Sequence, residues 1–370
     1  MDLLKGISSI FAKKPQSVLG IDIGSSAVKV VQIKKKRGKA VLETYGELAL
    51  GPYAGTEVGR ATNLSNEKTI EALRDILRES KTTTNSAGVA LPLSSSLISF
   101  ISIPDVPEKQ LSEVIALEAR KYIPVPMNEV MLDFSLVPRE EEFATDDDST
   151  KPEEKKGRDA LVVAIHNEYI NNYQAVTAGA MIQPAFYEIE LFSSIRAVVE
   201  PGIQAVMILD MGARSTKLYI IERGVLRASH IINKGGQDIT LAISKSLSIS
   251  VNEAETMKRQ YGLKGGPEHK DLTEIITVNL DFVFYESNAT LLNYQKKYMK
   301  NINKVILTGG GVLLKGFTDL AKISFQTDIT AADPFGRLET PVFLADQFAE
   351  AGPEFAVAIG CALRRLSELE

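Results

Sequence analysis

The sequence predicts an α/β protein of two related lobes, with a smaller α+β subdomain inserted in the first. Three observations lead there. Gly20-Ile21-Asp22-Ile23-Gly24-Ser25-Ser26-Ala27-Val28-Lys29 and Leu209-Asp210-Met211-Gly212-Ala213-Arg214-Ser215-Thr216-Lys217 follow one D-x-G-x-x-S-x-K pattern or come close to it, half a chain apart. The chain has 370 residues, more than a single core usually organises. The stretch between the two copies carries a strand and helix pattern of its own.

Each copy sits between runs dense in β-branched and aliphatic residues: Ser17-Val18-Leu19 and then Val28 to Ile33, Ala205 to Leu209 and then Lys217 to Ile221. That predicts a β-hairpin drawn twice. A Gly two residues after an Asp lets the backbone turn tightly and approach a ligand, while small Ser and Thr side chains add hydroxyls and leave room for phosphate oxygens. The Asp at the strand end suits a hard cation or its water. Two such hairpins predict two lobes clamping one nucleotide.

A helix is expected over Asn66 to Ser80, followed by strands at Ala87 to Pro92 and Leu97 to Ile103. Pro107-Glu108 opens a helix through Lys121 with Leu111, Val114, Ile115 and Tyr122 on its mixed face, and Ile123-Pro124-Val125-Pro126 ends it. Strands at Val130 to Val137 and Ala160 to Ile165 complete the insert. The expected boundaries are an amphipathic segment at 1–15, first lobe at 16–86, insert at 87–180, return to the first lobe at 181–204, second lobe at 205–350, and a closing helix at 351–370 that returns to the first lobe. The tract 139–159, with Asp146-Asp147-Asp148, has too few apolar residues to offset the entropy of ordering and is expected to be a disordered loop without chemistry.

Past the second hairpin, Gly235-Gly236 opens a helix whose free amides suit a phosphate or sugar edge. Glu255 and Lys258 share a face of the next helix at i,i+3 spacing. The apolar strand Val305 to Thr308 ends in Gly309-Gly310-Gly311, which lets backbone lie flat against a base or phosphate.

Composition narrows the function classes. The net charge of −5 gives no overall basic field for nucleic acid. The single cysteine, Cys361, forms no internal disulfide, and three scattered histidines make no zinc site, so a reducing cytoplasm is expected. Leu3, Leu4, Ile7, Ile10 and Phe11 fall on one helical face beside Lys5, Lys13 and Lys14; this is no cleavable signal, and reads as a helix packed on its own domain or as a weak membrane or partner contact. No apolar run reaches bilayer-spanning length, so a soluble protein is expected.

In this order, the two Asp-x-Gly hairpins and Thr308-Gly309-Gly310-Gly311 resemble the actin, Hsp70 and sugar-kinase superfamily, which implies an actin-like (ribonuclease H-like) two-lobe ATPase fold. Within it, Glu118-Ala119-Arg120-Lys121-Tyr122-Ile123-Pro124-Val125-Pro126, Glu129-Val130, Leu132-Asp133-Phe134 and the closing Gly352 to Gly360 are similar to the PilM family of type IV pilus assembly, an FtsA-like branch also found in related type II secretion systems.

The resemblance implies ATP and Mg2+ as cofactors. Gly24, Ser25, Ser26 and Lys29 would form the first phosphate loop with Asp22 near the magnesium; Gly212, Ser215 and Thr216 would form the second, with Asp210 in the matching metal or water position. Glu190 stands where actin-like proteins orient the attacking water, with Glu188 as the alternative. Gly235, Gly236, Glu255 and Lys258 would meet phosphate or ribose, and Gly309 with Gly310 would border the adenosine. ATP turnover is expected to be slow at most.

The implied partner is the N-terminal cytoplasmic peptide of the membrane protein PilN, held in a groove with Val89 to Ile103 and Pro104 to Pro126 as expected walls. Pilus motor ATPases and self-association are further contacts that the resemblance admits. The expected location is cytoplasmic, peripheral to the inner membrane through the partner. Two alternatives stay open: a small-molecule kinase of the same superfamily, and an FtsA-like division filament protein. The acidic ending Ser367-Glu368-Leu369-Glu370 weighs against the latter, which is expected to carry an amphipathic membrane helix.

Overall fold

The computed structural model describes residues 17–138, 157–202 and 204–369. The expected amphipathic segment at 1–15 and nearly all of the tract 139–159 lie outside the described residues. Contacts divide the chain into two compact units, one of residues up to Leu91 and from Val176 onward, the other Pro92–Ala175.

The larger unit holds two sheets of the same design. In the first, β1 (Ser17–Ile23) pairs antiparallel with β2 (Ala27–Lys36), β2 with β3 (Lys39–Ala49), and β1 pairs parallel with β4 (Ser86–Leu91), which pairs parallel with β8 (Gln183–Ile189). In the second, β9 (Ala205–Met211), β10 (Thr216–Glu222), β11 (Val225–Ile232), β12 (Ile302–Thr308) and β13 (Asp328–Ala331) repeat that plan strand for strand. The orders are β3-β2-β1-β4-β8 and β11-β10-β9-β12-β13. The duplicated hairpins are therefore the first two strands of each sheet.

Helices cover these sheets because their apolar faces need burial. α1 (Asn66–Glu79) starts at Ser65, whose side chain accepts from the Lys68 amide, and buries Ala72, Leu73 and Ile76. α4 (Glu190–Val198) follows β8 without a loop. In the second half, α5 (Gly236–Leu247), α6 (Val251–Tyr261) and α7 (Lys270–Tyr298) bury Ile243, Ala254, Ile276 and Phe284 in one core with β9, β10 and β12. α8 (Phe317–Ser324) adds Phe317 and Ala321 to it, and α9 (Ala345–Ala351) buries Phe348 near β2.

The closing helix α10 (Ala356–Ser367) packs on β1 and α4, and small residues make the approach possible. A Cβ on Gly20 of β1 would lie 1.8 Å from the Ala358 carbonyl oxygen, and one on Gly360 would lie 2.0 Å from that of Ser193. Neither position admits a side chain without displacing backbone.

The smaller unit is an antiparallel sheet, β5 (Ser96–Ile103), β6 (Val130–Leu136) and β7 (Arg158–His166), in the order β5-β7-β6. α2 (Glu108–Ala119) lays Leu111, Ile115 and Ala119 onto it against Ile101, Val162 and Ala164. α3 (Asn167–Gly179) runs across the boundary into the larger unit.

Both boundaries of the insert differ from the expected 87–180: the smaller unit is Pro92–Ala175, the larger unit resumes at Val176, and Ser86–Leu91 is the interior strand β4 of the first sheet, with Ala87, Val89, Ala90 and Leu91 buried. An apolar strand of this kind satisfies both its edges only between two others, here β1 and β8.

Candidate functional site

Both hairpin turns close in the same way. The Gly24 amide donates to the Ala27 carbonyl at 3.0 Å, and the Gly212 amide donates to the Ser215 carbonyl at 3.0 Å. Across each hairpin the Asp faces the Lys of the motif: Asp22 lies opposite Lys29, and Asp210 opposite Lys217. The sequence repeat is thus a structural repeat of turn, acid and base.

The two turns open on one cavity of about 390 Å³, a volume within the range of small-molecule sites. Asp22, Gly24, Ser25, Ser26 and Lys29 line it from the first lobe; Asp210, Gly212, Gly236, Glu255, Lys258, Gly309 and Gly310 line it from the second. Glu190, at the start of α4, joins them. Glu188 does not. It points elsewhere, accepting from Arg196, Arg364 and Ser193, and those partners outweigh burial to hold its carboxyl below the usual range.

Three expected residues take other positions. Thr216 is fully buried, and its hydroxyl donates to the Lys234 carbonyl at 2.8 Å. Ser215 closes the turn through its carbonyl and, like Gly235, is outside the cavity lining. Thr216 is held inward by that bond to the Lys234 carbonyl, and Gly235 by its close packing against the Ala213 carbonyl.

The first turn of α5 also departs from the free-amide expectation. The Gly236 and Gln237 amides donate to the Gly212 and Ala213 carbonyls at 2.9 Å each, and the Gly235 amide donates to the Asp238 carboxylate at 2.8 Å. A Cβ on Gly235 would meet the Ala213 carbonyl oxygen at 2.5 Å. These glycines bring helix and hairpin together, and the helix start is already saturated.

Charge dominates the cavity. Lys217 donates to Glu190 at 2.7 Å and lies 3.6 Å from Asp210; Lys29 lies 3.2 Å from Glu47 and 3.9 Å from Glu354. Protein around Asp22 desolvates its carboxylate and pushes its pKa up to about 6, against the pull of Lys29. Burial raises Asp210 too, opposed by Lys217, and lifts Glu354 to about 7. For Lys29 and Lys217 burial acts against the charge, but the carboxylates outweigh it and hold both above the ordinary lysine value. Burial wins at Lys258, whose pKa falls although it donates to Glu255 at 2.6 Å.

Six carboxylates (Asp22, Glu47, Glu190, Asp210, Glu255 and Glu354) face four cations (Lys29, Lys217, Lys258 and Arg259) around the cavity. Negative charge is in excess, and a bare polyanion would be repelled. Two buried hydroxyls, of Ser194 in the lining and of Tyr219 near Glu190 and Asp210, find no hydrogen-bond partner among the described residues. Of the two, the Ser194 hydroxyl is in the lining, where a polar group of an occupant could pair with it.

The oxygen donors suit a hard cation, yet among the described residues no three acidic, histidine or cysteine side chains converge into a metal cage. Among hard cations, magnesium is commonly bound through one or two carboxylates together with substrate phosphates.

Gly309 borders the cavity at φ +86°, and a Cβ there would stand 2.4 Å from Asp210 Oδ1. Its amide, with the Thr308 hydroxyl, donates to the Pro353 carbonyl, which holds the glycine run against the entrance to α10. The segment after β3 ties the lobes together. The Thr62 amide donates to the Ser25 carbonyl, the Ala61 amide to Gln237 Oε1, and Arg214 to the Thr62 carbonyl and to Asn63 Oδ1.

Sequence reasoning missed Lys217, Glu47, Glu354 and Arg259 as lining residues. Lys217 was visible as the counterpart of Lys29. Glu47 reaches the site because β3 sets it opposite Lys29, and Glu354 because the chain returns before α10; neither has a local signature.

The family model of the type IV pilus assembly protein PilM matches residues 20–366. The chain belongs to the PilM family. The structure of a PilM–PilN type IV pilus biogenesis complex matches with a TM-score of 0.79 and 25% identity, over 95% of this chain and 99% of that one. The fold is the actin-like two-lobe α/β fold: MreB5 of Spiroplasma citri, solved with AMPPNP, superposes with a TM-score of 0.52 at 14% identity over 96% of this chain and 98% of its own. Among curated proteins, the cell division protein FtsA of Enterococcus faecalis is 28% identical over 158 residues, 37% of this chain and 36% of the relative. The match therefore spans little more than a third of that relative's length. Like the sequence, the described helices of this PilM family member include none long and apolar enough to cross a membrane.

Proposed function

We propose that this chain is an ATP-binding platform of type IV pilus assembly. The observation that carries the reading is the convergence of both Asp-x-Gly turns, one from each lobe, on a single cavity. Gly24, Ser25, Ser26 and Gly212 bring backbone close to a triphosphate, and Lys29 and Lys258 supply positive charge to it. Asp22 and Asp210 would hold a magnesium ion, which would supply positive charge to offset the surplus of carboxylates around the cavity. Gly309 and Gly310 form the flat border for the adenosine.

Turnover is slow in this reading. Glu190, the candidate to orient water, is engaged by Lys217 at 2.7 Å, which holds its carboxylate away from a water.

The same platform docks the N-terminal cytoplasmic peptide of PilN and links the inner-membrane complex to cytoplasmic motor ATPases. The PilM–PilN complex among the structural relatives supports the partner. Nucleotide selects one lobe angle, and so one docking surface, only through a difference in affinity between the two states. The test is to titrate a synthetic PilN N-terminal peptide with and without MgATP. Reciprocal shifts in the two affinities are expected, and independent binding overturns the coupling. An FtsA-like filament is the second reading, favoured by the FtsA match, and predicts ATP-dependent pelleting.

A further inference from the structure

The segment between β3 and α1 begins and ends on the first lobe and touches the second lobe in between. It starts at the first turn, where the Leu50 amide donates to the Ser26 carbonyl at 2.8 Å. Gly59, at φ +87°, then borders the cavity, and a Cβ there would stand 2.8 Å from the Glu255 carboxylate of α6. The Ala61 amide donates to Gln237 Oε1 at 3.1 Å, and Arg214 Nη2 donates to the Thr62 carbonyl at 3.1 Å and to Asn63 Oδ1 at 2.9 Å. The Thr62 amide comes back to the first turn and donates to the Ser25 carbonyl at 2.8 Å.

Both turns are held by their carbonyls. Leu50 and Thr62 hold those of Ser26 and Ser25, while the Gly236 and Gln237 amides hold those of Gly212 and Ala213. In a trans peptide the carbonyl and the following amide point to opposite sides, so the Ser26 and Ala213 amides face away from the groups that hold the turns. Both residues line the cavity. Gln237 joins the two arrangements: its amide holds the second turn, and its side chain holds the segment that holds the first.

We propose that residues 50–65 are a latch that slows nucleotide release, and that Gln237 and Arg214 are the positioning residues that fasten it. The inference rests on the reading of the cavity as an ATP site and adds what controls exit from it. A nucleotide held against both turns leaves when the lobes part, and the side-chain bonds from Gln237 and Arg214 must break for that to happen. Entry into an open cleft does not need them, so they act on the release rate and not on the association rate.

The test is a fluorescence chase of magnesium-bound N-methylanthraniloyl-ATP by excess ATP, in the wild type and in Gln237→Met/Arg214→Met. Neither side chain lines the cavity. Release is expected to quicken at least about tenfold for the three hydrogen bonds lost, with the association rate as in the wild type. Asn63→Ala, which removes one acceptor without changing charge, shifts release in the same direction. Hydrogen exchange of the nucleotide-free protein gives a second readout: residues 55–64 exchange faster in the double variant, while β1 and β9 keep their protection. Unchanged release from variants that still bind the probe overturns the latch and leaves the ATP site standing, as does equal exchange of the segment in variant and wild type. A wild type that binds no probe overturns the ATP site, and the latch with it.

Discussion

Lys217 Nζ stands 2.7 Å from Glu190 Oε2, and the two come from different lobes: Lys217 from β10 of the second sheet, Glu190 from the helix that follows the last strand of the first. Both residues line the cavity, and Lys217 also lies 3.6 Å from Asp210. One ammonium thus offsets two carboxylates.

Removing that ammonium takes a cationic partner from both buried carboxylates. Lys217→Ala is expected to destabilise the protein by about 3 kcal/mol in urea unfolding. Adding Glu190→Gln should return part of the loss, because the remaining amide carries no charge. Additive effects in the double-mutant cycle would show that the two side chains do not couple.

Glu188 and Glu190 separate by function. Glu188 sits among Arg196, Arg364 and Ser193, so Glu188→Ala is expected to cost about 3 kcal/mol of stability and leave ATP affinity as it was. Its carboxyl is held below the ordinary value, and that stabilisation is present above the unfolded pKa and lost as pH falls. Glu190→Gln should instead alter ATP binding. The pair of binding titrations checks both.

Glycine positions differ in what they tolerate. Gly309→Ala strains the backbone and drives a methyl group toward Asp210, so a loss of about 1–3 kcal/mol and weaker ATP binding are expected. Gly38→Ala has a similar φ but open space, so it should cost stability without touching ATP affinity. Equal ATP binding by both variants would contradict the placement of Gly309 at the site.

Glu354 gives a pH signature. Its folded pKa of about 7 exceeds the ordinary 4.5, so the native state holds the proton more tightly than the unfolded chain. Its contribution is full below 4.5, lost as pH rises through about 7, and constant beyond that. Thermal melts across this window should fall more steeply for the wild type than for Glu354→Gln. Parallel profiles would mean that the carboxyl is not desolvated.

The sequence made the duplicated part legible, because turn, acid and base lie within eight residues of each other: Asp22, Gly24 and Lys29, then Asp210, Gly212 and Lys217. The glycine run after Thr308 and the Glu255–Lys258 pair were readable for the same local reason. What depends on distant chain was not. Glu47 arrives by strand register, Glu354 by the return of the chain, and Thr216 turns inward because its hydroxyl finds the Lys234 carbonyl. The start of α5 looked open in one dimension, yet its amides are consumed by Gly212 and Ala213 in three.

The most direct measurement is calorimetric titration of MgATP into the wild type, Gly24→Val and Asp210→Ala, each first shown to be folded by its melting curve. One site is predicted for the wild type, with affinity lowered at least about tenfold, or about 1.4 kcal/mol, by a change in either lobe. No heat from the wild type, or undiminished affinity in both variants, would contradict a single nucleotide held between the two turns.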